Sequence, residues 1–278
     1  MNTTTASAAA TIPWPGACDC HIHVFEEGHP LAPTATFVPP HAPAADYQAL
    51  REAPGLQRVV VVQPTGYGFD NRCTLQAMAQ LGAGSRGIAV VGAQAPPAEL
   101  QRLHTAGMRG VRFMMLAGGV LRWDALPPLA AQIAGWDWHI NLQLDGRDLP
   151  LHEATLQQLP CRLVIDHIGK FLGPVTPDSA GFQSLCKLLD GGRCWVKLSA
   201  PYESSRSGPP AYADIAPLVQ ALAQRYPERC LWASNWPHPN IRPQPTIEAM
   251  LAWALPLFGD AAQQRRILVD NPAALYGF

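Results

Sequence analysis

The chain has 278 residues, of which 48% are hydrophobic and 15% are charged, and its formal net charge is -1 at pH 7. This composition supports a large apolar core and excludes a disordered protein. The near-neutral charge gives no support for nucleic acid or an anionic membrane as a partner. No apolar run approaches the roughly 20 residues that span a bilayer.

The first 15 residues are small and polar and lack the basic start and apolar run of a secretory signal, so they predict a disordered tail. Residues 16–278 form one predicted domain. The seven cysteines are odd in number and include no CxxC pair. This pattern favours reduced thiols in a cytoplasmic protein over a disulfide framework.

Eight short β-rich runs alternate with helical or loop stretches. In chain order they are ACDCHIHVF, RVVVVQPT, GIAVVG, GVRFMM, HINLQLD, RLVIDHI, CWVKLSA and CLWASN. Several are continuous apolar runs, typical of parallel strands covered on both faces. Eight such strands predict an α/β fold, a single closed (β/α)8 barrel of the TIM type. The alternative, a doubly wound open sheet, would need a glycine-rich phosphate turn after the first strand, where the chain reads HVFEEGHP.

The first strand carries two histidines at alternate positions. Alternation predicts that Asp19, His21 and His23 share one face, while Cys18 and Cys20 point into the layer beneath the helices. Two imidazoles on one face indicate a metal, a proton relay or a buried polar pair. The segment 25–45, rich in Pro, Ala and His, predicts a long loop over the barrel mouth.

Polar side chains recur where the predicted strands end, which is where barrel enzymes carry their catalytic groups. The set is His21, His23, Gln63, Thr65, Arg112, Gln143, Asp145, Asp166, His167, Lys197, Ser199, Asn235 and His238. Burying so many polar groups unpaired is costly, so the recurrence indicates a site. Asp166 precedes His167 and is expected on the opposite face, in a structural pairing beneath the helices. Lys197 needs a partner or a cavity, and the planar fork of Arg112 suits a substrate carboxylate or a structural aspartate.

Four motifs, DCHIHVF, GMRGVRF, LVIDHIGK and NWPH, occur in this order at the ends of strands one, four, six and eight. Together they resemble the amidohydrolase superfamily, in its second large branch (amidohydrolase family 2) and among the members that act on lactones. The resemblance covers residue 16 to the C-terminus. It implies that the HxH pair is His21 and His23, that the strand-six histidine is His167, and that Arg112 binds a carboxylate.

The resemblance also implies a set of substrate contacts. These are Arg112, Gln143, Thr65, Lys170, Tyr202 and Arg206, with Lys170 or Arg206 as a second cationic contact. Some members of the family carry a second arginine where this chain has Gly118. A site without that arginine has less reason to prefer a flat dicarboxylate.

The main departure from the family pattern is Asn235. Most members carry an aspartate there as metal ligand and general base, whereas an amide cannot take a proton from water near neutral pH. If Zn²⁺ or Mn²⁺ were bound, its expected ligands would be His21, His23 and His167. The resemblance favours catalysis without metal or other cofactor.

Three function classes remain open. The first is a hydrolase that opens the ring ester of a small carboxylated lactone, of the sugar-acid or pyrone-dicarboxylate type. Its catalytic set would be His21, His23, His167, Asn235 and His238. The second is a lactone isomerase, in which a substrate hydroxyl attacks the carbonyl and converts a 1,5- into a 1,4-lactone. The third is an impaired binding protein, or a variant whose aspartate was replaced to trap substrate. The expected partners are the lactone and a second copy of the chain in a homodimer.

Overall fold

In a computed structural model, which describes residues 11–239 and 241–278, eight parallel strands form one sheet in the order of the chain. The strands are β1 (Cys18–Ile22), β2 (Arg58–Val62), β3 (Ser85–Ala89), β4 (Met108–Met114), β5 (His139–Gln143), β6 (Arg162–Ile165), β7 (Cys194–Leu198) and β8 (Cys230–Trp232). The eight predicted strands and the predicted TIM-type barrel in a single domain are confirmed.

The helices that the structure describes surround the barrel, seven of them between successive strands and three after β8. They are α1 (Ala44–Glu52), α2 (Arg72–Leu81), α3 (Pro97–Thr105), α4 (Leu126–Ala134), α5 (Leu149–Gln157), α6 (Ala180–Asp190), α7 (Ala216–Arg225), α8 (Ile247–Ala254), α9 (Ala261–Arg265) and α10 (Asn271–Tyr276). Asp260 begins α9 with a capping box, in which its side chain accepts from the backbone N–H of Gln263. Among the described residues, no helix is long and apolar enough to cross a membrane.

The barrel closes between β8 and β1. The backbone N–H of Asn235 donates to the carbonyl of His21 at 3.0 Å, and that of His23 donates to the carbonyl of Trp236 at 2.8 Å. Asp19 accepts from the Ser234 backbone at 2.9 Å and from its hydroxyl at 2.5 Å. Burial raises the pKa of Asp19 to about 6. These bonds hold the DCHIHVF motif at β1 against the NWPH motif that follows β8.

The predicted facing of β1 is wrong for Cys18, Asp19 and Cys20, whereas His21 and His23 lie together as predicted. Cys18 and Cys20 pack inside the barrel with residues of β2, β3, β6 and β8, whereas Asp19 faces α1, where it accepts from the Tyr47 hydroxyl at 3.2 Å. The pairing of β1 with β2 shifts register after Asp19. This irregularity brings His21 back to the inside, where it contacts β7, so strict alternation does not hold along the strand.

Asp166 is also placed differently from the prediction. Its side chain points into the barrel, as does that of Val164 two residues earlier, and lies 3.2 Å from the Lys197 ammonium. His167 does not face the helices instead, because its φ of +53° turns the chain out of the strand. Both side chains therefore reach the polar interior at the end of β6.

The loop over the barrel mouth is confirmed. Phe25 and Ala42 pair by two backbone hydrogen bonds of 3.0 and 2.8 Å, and Phe37 between them reaches the pocket described below. Of the predicted tail, residues 1–10 lie outside the described residues. Ile12, assigned to the same tail, is instead buried, and its backbone N–H donates to the carbonyl of Pro54 at 2.9 Å. All seven cysteines are buried free thiols.

Candidate active site

A pocket opens at the carboxyl ends of the strands. Seven of the predicted site residues line it: His23, Thr65, Arg112, Gln143, His167, Lys170 and Asn235. Three more predicted residues contact lining residues: His21 contacts His23, Tyr202 contacts Asn235, and the backbone N–H of His238 donates to the carbonyl of Asn235. Arg206 is not brought to the pocket: it is exposed, and its backbone N–H donates to Asp214 at 2.7 Å.

Arg112 is the unpaired cation of the pocket. The residue is 5% exposed, and its guanidinium donates through Nη1 to the carbonyl of Gln63 at 2.9 Å and through Nη2 to Oε1 of Gln143 at 2.7 Å. Its Nε has no hydrogen-bond partner. Burial lowers the pKa of the guanidinium. Among the described residues no carboxylate forms an ion pair with it, so an anionic ligand would relieve an unfavourable burial.

His167 offers a ring nitrogen to the pocket. Its Nδ1 lies 2.9 Å from the Ser199 hydroxyl, and its Nε2 forms no hydrogen bond to a described residue. The residues that follow, Ile168 and Lys170, also have positive φ values of +60° and +45°. Such strain in non-glycine residues is typical of functional loops. Burial lowers the pKa of His167 to about 4, so the imidazole is neutral at pH 7.

His21 in β1 and His23 directly after it form a hydrogen-bonded pair with assignable protons. Nδ1 of His23 lies 2.7 Å from the carbonyl of Val62, which can only accept, so this nitrogen carries the proton. Nε2 of His23 must then accept from Nε2 of His21, 3.1 Å away. Burial and the charges of Lys197 and Arg112 hold the pKa of both rings well below the usual range. Both histidines are neutral.

A buried ammonium lies beneath this pair. Lys197 is 0% exposed, and its Nζ lies 2.6 Å from Oδ1 of Asn141, 3.1 Å from Nδ1 of His21 and 3.2 Å from Oδ1 of Asp166. The ammonium donates to Asn141 and to His21, and it forms an ion pair with Asp166. Nδ2 of Asn141 donates to the second oxygen of Asp166 at 2.7 Å. The cluster is one buried carboxylate balanced by one buried cation.

Asn235 presents an unpaired acceptor. Its Nδ2 donates to the Tyr202 hydroxyl at 2.9 Å, and that hydroxyl lies 2.7 Å from Nδ1 of His238. Oδ1 of Asn235 and Nε2 of His238 are buried without a partner among the described residues. The free amide oxygen, in the pocket wall, suits a ligand hydroxyl.

Sequence reasoning missed Glu203, which lines the pocket and forms an ion pair with Lys170. Although burial alone would raise the pKa of Glu203, the ammonium of Lys170 lowers it, so Glu203 is ionised. The signal was its place in YESSR, just after the end of β7. Because of this pair, Lys170 is not a second unpaired cation.

Gly118 lies close to the pocket and cannot readily carry a side chain. Its φ is +90°, and an added Cβ would lie 3.2 Å from the Thr36 hydroxyl and 3.7 Å from that of Thr65. A residue with a Cβ is strained in this conformation. The backbone here therefore disfavours an arginine at this position.

Comparison with known families places the chain. The model of the family described as amidohydrolase matches residues 18–278. The chain belongs to the amidohydrolase family. This confirms the resemblance inferred from the four motifs.

Known amidohydrolase relatives match this one along most of their length. The 2-pyrone-4,6-dicarboxylate hydrolase of Comamonas testosteroni is 36% identical over 274 residues, 94% of this chain and 90% of the relative. The D-galactarolactone isomerase of Agrobacterium fabrum is 34% identical over 270 residues, 94% of this chain and 91% of the relative. An apo crystal structure from Agrobacterium tumefaciens has a TM-score of 0.89 at 34% identity and covers 95% of this chain and 96% of that one.

The amidohydrolase fold raises the question of a metal. Among the described residues, His21, Asp166 and His167 offer one ligand atom each within 4.8 Å of one another; His23 is not in this group. The donor set does not fit a divalent cation. The single carboxylate of Asp166 is already balanced by Lys197, and Nδ1 of His21 accepts from that ammonium. An added divalent ion would be an uncompensated buried charge.

Proposed function

We propose that this amidohydrolase acts on the ring ester of a small carboxylated lactone, without a metal or other cofactor. The observation that carries the proposal is the buried, unpaired guanidinium of Arg112 in the same pocket as the free ring nitrogen of His167. The names of the relatives, a pyrone-dicarboxylate hydrolase and a galactarolactone isomerase, support a lactone as the substrate class.

Four of the lining residues bind the ligand, and one transfers a proton. Arg112 binds the carboxylate, and Gln143, whose Oε1 is held by Arg112, presents its amide N–H groups to the ligand. Asn235 accepts from a hydroxyl through its free Oδ1, and Thr65 donates or accepts as the ligand requires. His167 lies among them as the group that moves a proton.

The charges of the pocket favour a substrate with one carboxylate and several hydroxyls. Arg112 is unpaired, while the ammonium of Lys170 is neutralised by Glu203. A second carboxylate on the ligand would find no free cation and would approach the ionised Glu203. A sugar-acid lactone fits these charges better than a pyrone dicarboxylate.

Hydrolysis is the first candidate reaction. Water attacks the lactone carbonyl, and neutral His167 accepts its proton through Nε2. The new C–O bond gives a tetrahedral oxyanion, which neighbouring N–H donors stabilise. The ring C–O bond then breaks, and His167 returns the proton to the leaving oxygen. Asn235 orients a hydroxyl but takes no proton.

Isomerisation is the second candidate, and the chemistry of Asn235 favours it. The pocket has an amide where a base would activate water, and burial makes His167 a weak base with a pKa of about 4. When a hydroxyl of the substrate itself is the nucleophile, it is already held next to the carbonyl. Effective molarity then replaces part of the need for a strong base.

Incubation with 1,5- and 1,4-lactones of sugar acids in ¹⁸O water tests the proposal and separates the two reactions. Label in a free carboxylate above the background rate indicates hydrolysis, and exchange between lactones without label indicates isomerisation. Turnover that survives dialysis against a chelator supports catalysis without metal, and loss of turnover would contradict it. Tight binding of a carboxylated lactone with no turnover would replace the enzyme by an impaired binding protein.

A further inference from the structure

We propose that Lys197 is a positioning residue that takes the place of a divalent cation: its ammonium fixes the protons of His21 and His23, so that the HxH motif is a neutral hydrogen-bonded pair. This goes beyond the proposed function, since it holds whatever lactone is bound. The inference rests on the disagreement between the family's metal motif and the charges found around it.

The first step is the location of the ammonium. Nζ of Lys197 lies 3.1 Å from Nδ1 of His21 and 3.2 Å from Oδ1 of Asp166, which are two of the three residues able to hold a metal. All three side chains are 2% exposed or less. His21 and Asp166 therefore already bind a cation, which is the ammonium of Lys197.

The ammonium also determines which ring nitrogens of His21 and His23 carry protons. Lys197 can only donate, so Nδ1 of His21 accepts and the ring proton of His21 is on Nε2. That proton is donated to Nε2 of His23 at 3.1 Å, and Nδ1–H of His23 is donated to the Val62 carbonyl at 2.7 Å. In this chain of hydrogen bonds no nitrogen of either ring keeps a free lone pair for a metal.

The third step is charge balance. Among the described residues, Asp166 is the one carboxylate that pairs with the side chains of His21 and Lys197, and the ammonium of Lys197 neutralises it. Removing the ammonium would leave Asp166 uncompensated and would free Nδ1 of His21. The imidazoles of His21 and His167 and the carboxylate of Asp166 would then form a donor set that zinc accepts.

Metal titration tests the exchange of one cation for the other. Wild-type protein and the K197Q variant are freed of metal by a chelator and titrated with Co²⁺, with binding followed by calorimetry and visible absorption. We expect no stoichiometric site in wild type. K197Q should bind one equivalent at least about a hundredfold more tightly than wild type and give the visible spectrum of bound Co²⁺.

Two matched variants complete this test. K187Q, which removes a largely exposed lysine, should behave as wild type. The double variant K197Q/H21N should lose the cobalt site gained by K197Q. A stoichiometric cobalt site at His21 in wild type, or no gain in K197Q, would overturn the proposal.

A spectroscopic measurement on the wild-type chain keeps the proposal testable if K197Q does not fold. Nitrogen NMR of ¹⁵N-histidine-labelled protein, assigned with H21N and H23N, reports which ring nitrogen carries each proton. We expect His21 protonated on Nε2 and His23 on Nδ1. Protonation of His21 on Nδ1 would contradict the role of Lys197.

Discussion

Nη2 of Arg112 donates to Oε1 of Gln143 at 2.7 Å, so the two side chains orient each other in the pocket wall. Replacing Arg112 by Gln should weaken binding of a carboxylated ligand by about tenfold to a hundredfold, because a charged hydrogen bond is lost. Arg112→Lys should recover only part of this, since an ammonium lacks the planar fork. Calorimetry with a slowly reacting carboxylated lactone measures the effect. Arg122→Gln, which changes an exposed arginine, is the control, and equal affinities in all variants would show that Arg112 does not bind the carboxylate.

Glu203 should set the number of carboxylates that the pocket accepts. Glu203→Gln frees the ammonium of Lys170 and removes an ionised group, so binding of a dicarboxylated ligand should improve by about tenfold. Affinity for the monocarboxylated analogue should change less. The double variant Glu203→Gln/Lys170→Met should lose the gain. If Glu203→Gln weakens binding of both ligands alike, Glu203 has another role.

Asn235→Asp should increase hydrolysis by about a hundredfold, because it places a carboxylate base where Oδ1 of Asn235 now has no partner. The rate of ¹⁸O entry into the product carboxylate is the measurement. Asn235→Ala, which removes both the hydrogen bond to Tyr202 and the acceptor, should lower activity. Unchanged hydrolysis in Asn235→Asp would contradict the account of the missing base.

The pH dependence of kcat/KM should report the buried His167. Its pKa is lowered to about 4 by burial, so the neutral, proton-accepting form is present at pH 7 and is lost only as pH falls towards that value. The profile should therefore be flat between about pH 8 and pH 5 and fall below. Ser199→Ala, which removes the hydrogen bond to Nδ1, should move the acid limb. An acid limb near the pKa of a free histidine would show that His167 is not the buried base.

The strands were predictable because several are continuous apolar runs and all eight alternate with helical or loop stretches along the chain. The direction in which the Asp19 side chain points was not predictable. It depends on the register shift between β1 and β2, and β2 lies about 40 residues further along the chain. Glu203 was not predicted for a similar reason. Its partner Lys170 lies 33 residues earlier in the chain, and only the folded barrel brings the two side chains together. Arg206 was predicted from its charge and its motif, but the residue is exposed, and its backbone N–H donates to Asp214.

The proton positions of the HxH motif also needed the structure. The spacing of His21 and His23 is the same whether they bind a metal or each other. Their neutral state follows from Lys197 and the Val62 carbonyl, which are distant in the chain. A motif thus identifies the residues of the site, while the neighbouring charges decide their chemistry.

The most direct test of the central claim compares one hydroxylated lactone carrying a free carboxylate with its methyl ester, both followed by proton NMR with the wild-type protein. The account predicts turnover of the carboxylate form with a kcat/KM at least about a hundredfold above that of the ester, because Arg112 donates to two neutral oxygens and pairs with no carboxylate of the described residues. Equal turnover of the two forms, or no turnover of any carboxylated lactone above the uncatalysed rate, would contradict it.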